Sequence, residues 1–362
     1  MGNIVRRACL LILVTTLALG CSSDYSARDL PDTFAIVRVF FATDRNAISS
    51  VGQPKSVSFG SERASMSFGT CEVSVPRDHR MGELETPSIL HLELRPDPSQ
   101  HVVLRSTSTL SESQLLAAIA ENARASKRKA ALVYIHGYNV AFDDAIRRTA
   151  QIAYDLAFPG PAILYSWPSR ATLGAYTVDE ANVEWSAADL REFLDVFLTE
   201  SGAEEVYILA HSMGSRAATR ALVDLLLQHR SSSPARVTNL ILAAPDIDAQ
   251  VFARDIAPVL SSAKLPTTLY ASAQDIALNA SKSFHGYPRA GDAGPNLLVS
   301  DGVDTIDATQ VDSSLIGHSY YASNRSLLTD IFYLINTRAS PSARFGLVAH
   351  DTKSGRYWSF SP

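Results

Sequence analysis

The stretch "VYILAHSMGSRAATRALVDLL", residues 206–226, holds the serine best placed to do chemistry in this chain. An apolar run ends at His211-Ser212-Met213-Gly214 and gives way at once to helical spacing, so Ser212 occupies the turn from a buried strand into a helix, flanked two residues away by Ala210 and Gly214. Small residues suit any tight strand-to-helix turn. The same turn also lifts a serine hydroxyl clear of the backbone above a sheet, which is the geometry of a nucleophile elbow. A serine hydroxyl is a weak nucleophile at its own pKa and needs a base within hydrogen-bond reach; imidazole serves because it titrates near neutrality. That base needs a carboxylate to hold its tautomer and to stabilise the imidazolium as it forms.

Residues downstream offer both partners. Asp246 and Asp248 follow the apolar run "NLILAAP", Asp275 follows "TTLYAS", and His318 lies in "LIGHSYY". Asp275 follows the strand that usually carries the acid, whereas Asp246 and Asp248 follow the preceding one and read equally well as helix N-caps. His318 competes with His285 in "SFHGYP" and with His350 in "LVAHDTKSGRYWSF", where a surface position is expected. His211 is expected to pack beside the nucleophile rather than to act. An oxyanion would be met by backbone N–H groups of Met213 and of the loop after His136-Gly137, with Tyr138 preferred over Asn139 as the second donor. His136, Gly137, Asn139, Trp167 and His211 are candidates for the pocket, His136 as an organiser of its loop rather than a metal ligand. Trp167, Tyr138 and Tyr176 could equally line an acyl pocket or belong to the core.

These groups need a scaffold that brings them to one edge. The runs "ALVYIH", "PAILYSW", "EVYILAH", "NLILAAP" and "TTLYAS" are short, apolar and rich in β-branched and aromatic residues, as strands buried on both faces are. Between them, "DDAIRRTAQIAYDLAF" and "DLREFLDVFL" repeat apolar residues on one side, as amphipathic helices do. Such alternation predicts an α/β fold, a mostly parallel sheet covered by helices on both faces, with ligands at the carboxyl ends of the strands. "DTIDATQ" can form a short final strand, followed by His318 in a loop and a closing helix "NRSLLTDIFYLI". Residues 34–105 read as an antiparallel β region at the leading edge of the same sheet, from "FAIVRVFFATDRN", "SMSFGTCEVSVPRDH" and "SILHLELRP". The domain is thus expected over 34–338, with a hairpin-like tail at 339–362. Residues 169–184 could cap the site.

The first residues have another character. Arg6-Arg7 precede an apolar run at 8–19 that ends in Gly20-Cys21-Ser22-Ser23, the pattern of a signal segment over 1–20. That run is short for a membrane span. A cysteine directly after Gly20 resembles the lipobox of bacterial lipoproteins, so Cys21 is expected to carry lipid, with 21–33 a polar tether. One difference is that residue 18, three before the cysteine, is alanine where leucine is usual. Ser22, in place of aspartate, resembles outer-membrane rather than inner-membrane lipoproteins. The expected location is the bacterial envelope, on the outer membrane facing the periplasm, with membrane contact through the lipid alone. Cys71 is then the sole cysteine of the mature body, which excludes an intramolecular disulfide.

Composition limits the partners. With 46% hydrophobic and 19% charged residues the chain of 362 is globular, and a net charge of -5 without a basic stripe argues against nucleic acid. Neither a zinc-protease helix motif, paired cysteines, an EF-hand loop, a dinucleotide fingerprint nor a phosphate loop is present, so no metal or cofactor is expected. No pattern identifies a protein partner.

The motifs "VFFATDRN", "SFGTCEVSVPRDH", "HGYNVAFDDAIRR", "YSWPS", "DEANVEWS", "AHSMGSR", "APDID", "DIAL", "HGYPRAGD" and "IGHSYY" together resemble the bacterial alpha/beta hydrolases grouped as DUF900, over residues 34–335. The order serine, aspartate, histidine along the chain is that of the alpha/beta-hydrolase triad. Carried over residue by residue, the resemblance implies Ser212 as nucleophile, Asp275 as acid and His318 as base, and esterase or lipase chemistry on a small acyl ester. Thioester, amide and acyl-transfer chemistry remain alternatives, as does a non-catalytic envelope protein that binds a ligand on a hydrolase scaffold. Ala210 stands where the elbow usually has its first glycine, and a single methyl can be accommodated there.

Overall fold

The run "FAIVRVFFATDRNAIS" extends as one strand, β1 (Phe34–Ser49), and folds back on β2 (Val57–Pro76), with Phe34 opposite Pro76 and Val39 opposite Cys71. The pairing slips between Thr43 and Arg45 and again between Arg45 and Ala47. Irregularities of this kind re-aim a side chain, and Arg45 turns inward to only 1% exposure. β3 (Val103–Leu110) pairs antiparallel with β2 and forms one edge of the sheet. The computed structural model describes residues 33–49, 57–87, 93, 95–228, 237–275, 278, 281, 285–311 and 324–361. Most of "SILHLELRP", read as a strand, lies outside them.

A capping box of Ser111 and Gln114 starts α1 (Glu112–Ala125). The expected alternation follows: β4 (Ala130–Ile135), α2 (Phe142–Asp155), β5 (Ala162–Ser166), α3 (Tyr176–Glu200), β6 (Glu205–His211), α4 (Gly214–Gln228), β7 (Val237–Ala243), β8 (Thr267–Ala271) and β9 (Val303–Asp307). α5 (Asn324–Thr337), β10 (Leu347–Thr352) and β11 (Gly355–Phe360) complete the order. The sheet runs β10-β11-β9-β8-β7-β6-β4-β5-β1-β2-β3. β1 pairs parallel with β5, so it lies inside the sheet, and only β2 and β3 form the antiparallel leading edge. At the other end "DTIDATQ" supplies β9, but the sheet continues: β11 pairs parallel with β9 through Trp358 and Ser359, and β10 closes an antiparallel hairpin on it.

Alternate residues of each buried strand feed two cores. Ala131, Val133 and Ile135 of β4 face the layer of α1, α3 and α4, while Ala130, Leu132 and Tyr134 face that of α2 and α5. Helices therefore cover both faces of a mostly parallel sheet. At the start of α2, Phe142 stands edge-on to Phe41 at 5.2 Å and lies 4.7 Å from Phe59, which pins the residues just before it. The segment at 169–184 is a loop up to Ala175 and thereafter the first turns of α3. Among the described residues no helix is long and apolar enough to cross a membrane.

Candidate active site

The end of β6 is fixed on both sides, by β4 and by β7, through Ala210 and His211. The next residue, Ser212, takes φ +49°, a conformation that costs a non-glycine residue of order 1 kcal/mol or more and persists only where its surroundings enforce it. Its amide donates to the Ala243 carbonyl at 2.9 Å, and its carbonyl accepts from Asp246 and Ser215, both at 3.1 Å. Gly214 is dictated by space: a Cβ there would stand 2.2 Å from the His136 carbonyl oxygen. Ala210 has no such conflict, since its methyl is fully buried among the apolar residues of the sheet.

The loop after β4 passes directly over this turn. A Cβ on Gly137 would lie 3.0 Å from Ser212 Cβ and 2.6 Å from His211 Nδ1, so only glycine lets the two loops approach. Asn139 has φ +59°, and its amide donates to Asp179 Oδ2 at 3.3 Å; the Val140 amide donates to Ser169 Oγ at 3.0 Å. Both amides are committed. Among the described residues the amides of Tyr138 and Met213 donate to nothing. The Tyr138 hydroxyl reaches the Thr172 carbonyl at 3.2 Å, and its ring meets that of Tyr176 edge-on.

His136 is fully buried beneath this loop. Its Nδ1–H donates to the Gly137 carbonyl at 2.8 Å, which leaves Nε2 to accept from Arg45 at 3.2 Å and from Ser166 at 3.2 Å. Burial and the Arg45 charge hold it neutral, far below the ordinary histidine range. Trp167 stacks on it at 4.9 Å and donates Nε1–H to the His136 carbonyl at 2.8 Å. Both aromatic rings are fully buried and support the loop from beneath. His211 is also buried, with Nδ1 unpartnered among the described residues; burial and the nearby Arg148 charge lower its pKa to about 3, so it is a poor base.

The carboxylates divide clearly. Asp246 accepts from Tyr176 Oη and Ser281 Oγ, each at 2.5 Å, and pairs with Arg289 Nε at 3.0 Å and Arg216 at 3.4 Å. Its two oxygens thus serve arginines and hydroxyls, and no histidine among the described residues. Asp248 caps the helix that starts at Ala249. His285 bridges the Ser281 carbonyl and Glu180, and His350 sits in the terminal hairpin, stacked on Tyr357 and 2.8 Å from Ser359 Oγ. Asp275 stands past the end of β8, half-buried, with Oδ1 accepting from the Leu278 amide at 2.9 Å. It lies on the same edge of the sheet as Ser212, two strands away. His318 and Cys21 lie outside the described residues. Among those described, no cluster of His, Cys, Asp and Glu could hold a metal.

Arg45 and Asp179 went unread in the sequence, though "FFATDRN" held a signal. Adjacent charges, Asp44-Arg45, inside an apolar strand must be buried, and buried charges need partners.

The family of alpha/beta hydrolases of unknown function designated DUF900 matches residues 111–338. No curated protein matches the chain in sequence. Among solved structures it is similar to a protein described as a cell surface hydrolase from Lactobacillus plantarum, at 16% identity and a TM-score of 0.37 over 60% of this chain and 95% of that one. It is also similar to an inhibited esterase B from Lactobacillus rhamnosis, at 12% identity and a TM-score of 0.31 over 85% and 89%, and to a fungal esterase from Rhizomucor miehei, at 10% and 0.33 over 86% and 84%. The family match spans well over half of the chain, including β4, the elbow and the strands that follow it; the protein belongs to the DUF900 family of alpha/beta hydrolases.

Proposed function

We propose that this hydrolase cleaves carboxylic esters with Ser212 as nucleophile, His318 as base and Asp275 as acid, through an acyl-enzyme. Ser212 Oγ bonds to the carbonyl carbon while His318 takes the hydroxyl proton, and the carbonyl π electrons move onto oxygen. The amides of Met213 and Tyr138 donate to that oxyanion. Collapse expels the alkoxide, which takes the proton from His318, and a water repeats the sequence to release the acid. The observation that carries this reading is Ser212 itself, held at φ +49° at the end of β6 directly beneath Gly137. The commitment of the Asn139 amide to Asp179 favours Tyr138 as the second donor. The occupied carboxylate of Asp246 favours Asp275 as the acid. His318 is supported by chain order and by family resemblance. The signal-like residues 1–20 and Cys21 support a lipid anchor that holds the enzyme at the envelope, facing the periplasm.

The test is labelling of the purified protein by a fluorophosphonate, with the modified peptide mapped by mass spectrometry. Label is expected on Ser212 and is expected to vanish in Ser212→Ala and His318→Ala, with ester turnover falling at least ~10³-fold. A folded wild-type protein that takes no label would overturn the reading. Loss of turnover in Asp246→Asn but not in Asp275→Asn would move the acid to Asp246 and leave the rest standing.

A further inference from the structure

We propose that Arg45 and Asp179 are positioning residues that fix the loop at 137–140 over Ser212, gripping the Asn139–Val140 segment from opposite sides. The inference rests on Ser212 being the nucleophile.

Arg45 has five N–H donors and five acceptors. Nε donates to Ser166 Oγ at 2.8 Å, one terminal nitrogen to the Gly60 and Ser169 carbonyls at 3.0 Å each, and the other to the Val140 carbonyl at 2.8 Å and His136 Nε2 at 3.2 Å. None of the five is a carboxylate. Asp179, fully buried, accepts the Arg170 amide on Oδ1 at 2.7 Å, and on Oδ2 the Ser169 hydroxyl at 2.6 Å and the Asn139 amide at 3.3 Å. Ser169 Oγ in turn accepts the Val140 amide. The carbonyl of Val140 is thus held by a cation, and the amides of 139 and 140 by an anion, directly or through one hydroxyl.

As a stability device this is a poor choice. Each buried ion loses several kcal/mol of hydration, and apolar residues of equal volume would often serve better. Here no hydrogen bond joins the two charges; Asp179 spends its bonds on amides and a hydroxyl of the loops after β4 and β5, and Arg45 spends four of its five on residues at or just past the ends of β4 and β5, the fifth going to the Gly60 carbonyl of β2. That arrangement sets the direction of the preceding amide, Tyr138, whose placement over the nucleophile decides how well an oxyanion is met. A displacement of about 1 Å there can cost ~10²-fold in rate.

The full-length protein and its Arg45→Lys, Asp179→Asn and Ser169→Ala variants are compared by turnover of a short p-nitrophenyl ester, normalised to serines titrated with fluorophosphonate, and by inhibition with phenylboronic acid. Expected is a 10- to 100-fold fall in kcat per labelled serine, KM within about threefold, and boronate affinity falling in step with kcat/KM. A purely structural role would instead reduce the number of labelled serines and leave kcat per site and boronate binding unchanged; that result overturns the proposal. Ser169→Ala removes no charge, so it reports on the relay even where the charge variants fail to fold. Wild-type protein without label at Ser212 would overturn both this inference and the reading beneath it, whereas a labelled wild type with unchanged variants overturns this inference alone.

Discussion

At the scale of single residues, the site is defined by what cannot be added to it. Gly137 has an ordinary backbone conformation, so space alone excludes a side chain. In Gly137→Ala the new methyl meets Ser212 Cβ at 3.0 Å and the His211 ring at 2.6 Å, and the loop must lift. Overpacking of one methyl costs about 1–3 kcal/mol, which for a domain of this size lowers the melting temperature by only several degrees. On the proposed mechanism the rate should suffer more, because lifting the loop carries the Tyr138 amide away from Ser212: kcat/KM for an ester is expected to fall ~100-fold. Thermal denaturation beside steady-state kinetics checks the pair of effects, and a variant that keeps wild-type kcat/KM would show that the loop's height over Ser212 is irrelevant. The need for a small residue at 214 was legible from the strand-to-helix turn. Gly137 was placed in the right loop by sequence, but its reason is a contact with a residue 75 positions away, which no local pattern contains.

At the scale of elements, α2 continues the loop at 137–140, and its far end is clipped to the turn after β2. His79 is buried between Glu85, at 2.8 Å, and Asp155, the last residue of α2, at 2.9 Å. Asp155 also accepts the Gly82 amide at 2.8 Å. Burial alone would lower the His79 pKa, but the hydrogen bonds and charges of Asp155 and Glu85 outweigh it and raise the value to about 9. A folded-state pKa above the unfolded value near 6.5 means stability that is fully present below about pH 6.5 and is lost as pH rises through about 9. The contribution is at most about 3 kcal/mol. The difference in melting temperature between wild type and His79→Gln should therefore be largest at pH 6 and shrink toward pH 10; a constant difference across that range would refute a charged His79. The elements themselves were largely readable, because β4 to β8 are buried on both faces and their apolar runs are short and uninterrupted. What periodicity could not supply was pairing. "FAIVRVFFATDRN" reads as a strand, yet its parallel partner β5 lies more than a hundred residues on, so its place inside the sheet was hidden. Arg45 was hidden for the same reason, since its five acceptors come from three separate segments of chain, at Gly60, at His136 and Val140, and at Ser166 and Ser169.

At the scale of the whole molecule, the sheet is held together at its C-terminal end by a polar knot in a dry place. Arg344, just before the terminal hairpin, pairs with Asp330 of α5 at 2.9 Å, and the Tyr270 hydroxyl of β8 donates to the same carboxylate oxygen at 2.6 Å. Three distant parts of the chain meet there with both charges buried. Burial pushes the Asp330 carboxyl up against the pull of Arg344. The knot is incompletely satisfied: Asp330 Oδ1, Arg344 Nε and Arg344 Nη2 find no partner among the described residues. Breaking it from one side should be costly, because Arg344→Met leaves a buried carboxylate with only a tyrosine for company, at about 3–5 kcal/mol. Replacing the whole knot should not be. With Tyr270→Phe, Asp330→Leu and Arg344→Met together no hydrogen-bonding member of the knot is left behind, only the half-buried Asp304 losing the nearby Arg344 charge, and exchanges of this kind are often neutral or stabilising by about 1–4 kcal/mol. Chemical denaturation of the single and triple variants tests this directly. A triple variant as unstable as Arg344→Met would mean that the ion pair contributes net stability despite its missing hydrogen bonds; recovery to wild-type stability would mean that its role is to align α5 and the hairpin on the sheet.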